Sequence, residues 1–193
     1  PAHLLVQDVN RLRRLVEALM EISRLDAGRE DVRTEDVDLG TLTARLLRSR
    51  GWDTSVSLET GPAVVETDPR RVERILSNLI QNAVAHGGRD VAVRIDRDES
   101  DAVVEVRDRG PGIAPEHLEH VFERFYKADP ARAGGGSGLG LAIALENARL
   151  LGGGIDAWSE IGVGSRFTLR LPVAKPLRGG TGADADGRED VTR

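Results

Sequence analysis

Asn78 and Asn82 stand four residues apart in Asn78-Leu-Ile-Gln-Asn82-Ala83. On a helix that spacing puts two amides on one face, one above the other. Amide oxygens suit a magnesium ion that keeps waters and shares phosphate oxygens. Further along, Asp108-Arg-Gly110-Pro-Gly112-Ile113 sets a carboxylate before a glycine turn. Such a carboxylate accepts a hydrogen bond from an exocyclic amine, which fits adenine and disfavours the carbonyl edge of guanine. The two glycines let the backbone turn tightly against the base.

Gly134-Gly-Gly-Ser-Gly138-Leu139-Gly140-Leu141 leaves free N–H groups at a helix N-terminus, an anion site suited to a polyphosphate. Gly162-Val-Gly164-Ser165 adds a last glycine-rich stretch. Each segment alone has an ordinary explanation: surface amides, a common turn, a flexible loop. Their order and spacing together describe a nucleotide site. It is neither a dinucleotide fingerprint nor a P-loop, because no Gly-x-Gly-x-x-Gly register fits and neither Lys127 nor Lys175 follows a glycine.

Residues 113–137 lie between base site and phosphate site, in the position of a lid. Arg124, Lys127 and Arg132 supply cations that could close over phosphates. Phe122 and Phe125 are spaced to anchor the lid by packing. His3, His86, His117 and His120 share no spacing with a nucleophile, and the last two read as solvated.

The elements that must position these groups follow from periodicity. Asp38 can cap a helix through about Arg48, with Leu39, Leu42, Leu46 and Leu47 on one face. Strands are expected at 55–59 and 63–67. Asp68-Pro69 starts a helix running to about His86, which carries both amides. Alternating strands at 90–96 and 102–108 are joined by a polar turn. Short helical stretches are expected around 115–120 and 121–126, a helix from about 139 to 151, and a hairpin of 155–159 with 165–171. Helices and antiparallel strands in this order specify a two-layer α/β sandwich over residues 38–173.

Ahead of it, residues 1–28 read as a bundle-forming helix. Leu5, Val9, Leu12, Val16 and Leu19 repeat at coiled-coil spacing and want partner helices. Residues 29–37 are charged and aperiodic, a linker, and 174–193 read as a disordered tail. The net charge of −5 argues against a nucleic-acid surface. Without cysteine the chain forms no disulfide or thiolate metal site. No window is apolar enough to cross a membrane, so we expect no membrane contact from this chain. It starts at Pro1 and its one methionine is Met20, so we expect a piece of a longer protein.

These segments, with 122–127, resemble in order the five sequence boxes of the sensor histidine kinases of bacterial two-component systems. Ile22-Ser-Arg-Leu-Asp-Ala-Gly28 is similar to the end of that family's dimerisation and phosphoacceptor domain. The resemblance covers residues 3–173 and implies an ATP-binding sandwich of the Bergerat type. It implies that Asn82 holds magnesium with Asn78 nearby, that Asp108 contacts the adenine amine, and that Gly110, Gly112 and Ile113 shape the base pocket. Gly138, Leu139 and Gly140 would meet the phosphates, with Arg132 from the lid. Asn78 and Lys127 are the candidate catalytic residues.

The resemblance also implies partners. The γ-phosphoryl of ATP passes to a histidine on the dimerisation helices of a parent homodimer, then to an aspartate of a cognate response regulator. The parent would be a membrane-bound sensor with this portion in the cytoplasm. ATPases of the same fold carry a glutamate at the position of Asn78 to activate water, and an amide cannot act as that base.

The chain departs from the family at two places. The acceptor-histidine box is absent, since His3 does not match it, so the chain should bind ATP without phosphorylating itself. Ala85 stands where many relatives carry a phosphate-reaching lysine, which leaves that task to Lys127 or a lid arginine. The alternatives are a nucleotide-sensing scaffold without turnover and a serine kinase of the anti-sigma type. The N-terminal seam and linker count against the second.

Overall fold

The computed structural model describes residues 31–88, 90–128 and 137–173, together with Val16 and Met20. Both of the latter are helical and exposed. The rest of the expected bundle helix and the expected tail lie outside the described residues.

Part of the expected linker is a strand. β1 (Glu35–Asp38) pairs antiparallel with β3 (Val64–Thr67), Val37 lying opposite Val65. One buried valine among charges leaves no periodicity to read, so the partner strand decides the conformation. The preceding residues are tied down too: the Thr34 hydroxyl meets Glu66 at 3.0 Å, and the Arg33 N–H donates to the Asp68 carboxylate at 3.1 Å.

Asp38 caps α1 (Leu39–Arg50) by accepting from the Thr41 N–H at 2.6 Å. The Thr41 hydroxyl and amide hold its carboxyl below the usual carboxylate range. Gly51 ends the helix at φ 67, a left-handed turn that returns its N–H to the Leu47 and Arg48 carbonyls. β2 (Val56–Thr60) and β3 follow. Asp68 then caps α2 (Pro69–His86) through the N–H groups of Arg70 and Arg71, with Pro69 in the first turn.

β4 (Val91–Arg97), β5 (Asp101–Asp108), the single turn α3 (Pro115–Leu118), α4 (Gly140–Leu150), β6 (Gly154–Glu160) and β7 (Gly164–Pro172) complete the chain. The larger sheet has the order β2-β4-β5-β7-β6. Its β2–β4 pair is parallel, not antiparallel as the strand order suggested, because the run through β3 and α2 serves as a crossover. The remaining pairs are antiparallel.

Strand alternation divides the sheet into two faces. Val93, Ile95, Val104, Val106, Phe167 and Leu169 are buried with the apolar faces of α1, α2 and α4. Arg94, Arg107, Arg166 and Trp158 are exposed on the opposite side. There Arg166 pairs with Glu105 at 3.7 Å and stacks over Trp158 at 5.4 Å. The result is the expected two-layer α/β sandwich.

Candidate nucleotide site

The α2 face toward α4 carries both amides. Asn78 and Asn82 are half-buried one turn apart, and the Asn78 Nδ2 is buried without a hydrogen-bond partner. A buried donor of this kind costs about 1–3 kcal/mol if it stays unpaired. The first turn of α4 lies directly across from it: a β-carbon at Gly140 would stand 3.5 Å from the Asn78 Oδ1. The first turn of α4, with its unpaired opening N–H groups, therefore lies beside Asn78.

Asp108 ends β5 and is only 5% exposed. Its Oδ1 accepts from the Gly110 N–H at 2.9 Å and from the Ser165 N–H at 3.2 Å. Among the described residues nothing donates to Oδ2. Burial pushes the carboxyl above its usual range, while the Gly110 and Ser165 amides and the charge of His86 pull it back.

Backbone closes around this carboxylate. A β-carbon at Gly164 would lie 2.1 Å from the Asp108 carbonyl oxygen, and one at Gly110 would lie 2.6 Å from the Gly87 Cα. Gly112 (φ 75) has its missing β-carbon 2.1 Å from the Glu160 carbonyl. Asp108, Ser165 and Ser159 form one cross-strand row over β5, β7 and β6. The Ser159 hydroxyl takes the Ile113 N–H at 2.8 Å and donates to the Gly164 carbonyl at 2.8 Å, with the Ser165 hydroxyl 3.0 Å away. Ile113 itself packs on the core.

The segment after α3 is made of turns, not the second short helix expected at 121–126. Phe122 does anchor it, edge-on to Phe167 with centroids 6.2 Å apart. Phe125 does not: it is 58% exposed at φ 66. Its N–H donates to the Gly138 carbonyl at 2.9 Å, joining the middle of this segment to the residues just before α4. Gly138 (φ 72) must be glycine, because a β-carbon would lie 2.7 Å from the Phe125 carbonyl carbon. The Ser137 hydroxyl accepts from the Leu139 N–H at 3.2 Å. The histidines of this segment are engaged, not merely solvated: His117 meets the Tyr126 hydroxyl and His120 meets Glu123, each at 2.7 Å. Lys127 is half-buried beside Tyr126, and Arg132 lies outside the described residues. Ala85 is exposed at the end of α2.

A cavity of about 650 Å³ opens elsewhere, beside Ser57, Ala92, Arg107 and Arg109 on the outer sheet face. Strand alternation sends Asp108 to the other side, so this cavity is separate from the carboxylate.

Residues 67–175 match the profile of the histidine kinase-, DNA gyrase B-, and HSP90-like ATPases. The chain belongs to that family. It is 47% identical over 171 residues to the signal transduction histidine-protein kinase AfsQ2 of Streptomyces coelicolor, covering 88% of this chain and 32% of the relative. To the sensor histidine kinase MtrB of Mycolicibacterium paratuberculosis it is 43% identical over 182 residues, 89% of this chain and 32% of the relative. It thus spans about a third of the curated relatives it matches. Among solved structures it is similar to full-length ShkA in complex with AMPPNP, with a TM-score of 0.72 and 27% identity over 86% of this chain and 36% of that one. It is also similar to the mycobacterial sensor histidine kinase MprB, with a TM-score of 0.62 and 30% identity over 72% of this chain and 97% of that one.

The structure sets Asn78 against Gly140, Asp108 and Gly110 beside Gly87 at the end of α2, Gly112 and Ile113 against Glu160 and Ser159 of β6, and Gly138 against Phe125, while Asn82 is half-buried on α2. Sequence reasoning missed Gly87 and Ser159. Gly87 had a signal, since it follows the last turn of α2 in His86-Gly87-Gly88. Ser159 had none, because its register opposite Ser165 exists only once β6 and β7 pair.

Proposed function

We propose that this chain is the ATP-binding catalytic part of a sensor histidine kinase, and that it passes the γ-phosphoryl group to a histidine outside the chain. The observation that carries the nucleotide reading is the Asp108 carboxylate. Its Oδ1 accepts from both the Gly110 and Ser165 amides, and among the described residues nothing donates to its Oδ2. A buried acceptor of this kind selects the adenine amine and rejects a carbonyl edge. Gly110 and Gly112 let this loop pack against Gly87 and Glu160, and on this reading the loop borders the base.

Asn82 supplies an amide oxygen for magnesium, and the donor set fits an ion that takes its other ligands from phosphate and water. Bound there, magnesium would neutralise phosphate charge during transfer. Asn78, whose amide lies against the start of α4, is the neutral group beside the phosphates on this reading. Being an amide, it leaves no base to activate water, which favours transfer to a brought-in nucleophile over hydrolysis. The N–H groups at the start of α4 bind phosphate oxygens, and Lys127 and Arg132 add charge from the lid. Positioning is most of what phosphoryl transfer requires of a protein.

The partners on this reading are the phosphoacceptor helices of a parent homodimer and a response regulator carrying the final aspartate. The parent is a membrane-bound sensor that presents this domain to the cytoplasm. Among the described residues no helix is long and apolar enough to cross a membrane.

The test has two stages. Calorimetric titration with ATP, with and without magnesium, should give saturable, magnesium-sensitive binding that Asp108→Ala abolishes. Labelled phosphate should then pass from ATP to a full-length parent whose own Asn82 is replaced. An unlabelled acceptor despite tight ATP binding would leave a nucleotide-sensing scaffold.

A further inference from the structure

Arg71 is a charged side chain in a buried position. It lies in the first turns of α2, is 6% exposed, and its guanidinium donates to the Asn147 Oδ1 on α4 at 3.0 Å. Asn147 is 2% exposed and gives its own N–H to the Ile143 carbonyl, one turn back, at 2.9 Å. The Ile143 N–H in turn donates to the Leu139 carbonyl at 2.9 Å. A hydrogen-bonded run thus leads from Arg71 to the residue just before Gly140.

The spacing gives this run a purpose. Arg71 and Asn78 are two turns apart on α2, and Gly140 and Asn147 are two turns apart on α4. Arg71 meets Asn147, and Asn78 faces Gly140. The two helices therefore cross antiparallel with two matched points, one polar and buried, the other at the phosphate end. The other buried residues of α4 are Ala142, Ile143, Ala144 and Ala148. Contacts of small apolar residues are non-directional and set no register, whereas a buried charged hydrogen bond does.

We propose that Arg71 and Asn147 are a positioning pair that holds α4 in register against α2, so that the N–H groups around Gly140 stand over Asn78 and meet the polyphosphate. This rests on the nucleotide reading above. A buried charge is poor at adding stability, and a well-packed apolar substitute is often neutral or better. The pair is therefore expected to govern phosphate binding more than folding.

The experiment compares wild type, the double variant Arg71→Met/Asn147→Leu, and Asn147→Asp. Each is titrated with magnesium-ATP and with adenosine, melted thermally, and followed by amide hydrogen exchange over residues 139–143. The double variant should still fold and bind adenosine equally well, yet bind ATP roughly tenfold more weakly. Exchange at 139–143 should quicken. Asn147→Asp keeps the acceptor that ties the guanidinium to α4 and gives up only the bond to the Ile143 carbonyl within that helix, so it should retain ATP affinity. Unchanged ATP affinity in the double variant overturns the proposal, as does equal loss of ATP and adenosine, or a double variant that fails to fold. If wild type binds neither ligand, the nucleotide reading fails instead, and unchanged exchange at 139–143 would still sink the register role on its own.

Discussion

Gly87 and Asp108 meet where a side chain is missing: a β-carbon on Gly87 would lie 2.2 Å from that of Asp108. The φ of Gly87 is −82, a value any residue adopts, so close approach alone demands glycine there. Gly88 is the reverse case, with φ 72 and open space around it. Gly87→Ala should displace the carboxylate and weaken ATP binding more than about tenfold. Gly88→Ala should cost about 1 kcal/mol of stability through backbone strain and leave binding nearly unchanged. Paired melts and titrations check both.

Asp108→Asn should separate stability from binding. An amide oxygen can still accept from Gly110 and Ser165, and the cost of burying a charge disappears. The variant should melt at or slightly above wild type at neutral pH. It should nevertheless lose ATP binding by about two orders of magnitude or more, because its amide N–H opposes the adenine amine.

The same carboxylate sets a pH dependence. Its folded pKa is raised above the usual value chiefly by burial. Above that pKa the group is charged, accepts the amine fully, and slightly destabilises the fold. As pH falls through the raised pKa it protonates: ATP affinity drops, and the burial penalty is relieved. Titrations at decreasing pH should show affinity falling at higher pH than an ordinary carboxylate would dictate, and Asp108→Asn should flatten that profile.

Ser159→Ala removes the acceptor of the Ile113 N–H and the donor to the Gly164 carbonyl. The expected cost is about 1–2 kcal/mol of stability. ATP binding should weaken as well, since Ile113 and Gly164 flank Asp108. Calorimetric melting with an ATP titration measures both, and a variant identical to wild type in each would remove Ser159 from the site.

Asn82→Ala should leave adenosine binding intact and abolish the effect of magnesium on ATP affinity. Titration of ATP with and without the ion reads this directly. A variant whose affinity still responds to magnesium would assign the ion to other residues.

Local chemistry made much of the fold legible in the sequence. Asp68-Pro69 and Asp38 announce two helices by capping geometry that needs no partner, and α2 spans Pro69–His86 as its apolar spacing implied. Alternation exposed β4 and β5 for the same reason. Phe125 was misread because its spacing suits packing, while the contact of its N–H with Gly138 turns it outward.

The order and spacing of short segments in this chain pointed by themselves to a nucleotide site: an amide pair on one helix face, an acid before a glycine turn, and glycines at a helix start. Those are properties of neighbours a few residues apart, and backbone geometry translates them directly. Tertiary structure alone decided the rest. The strand at Glu35–Asp38, the parallel β2–β4 pair, the row of Asp108, Ser165 and Ser159, and the Arg71–Asn147 crossing each join residues from separate elements. Their conformations are fixed by a partner that local sequence does not contain, and only packing the helices on the sheet supplies it.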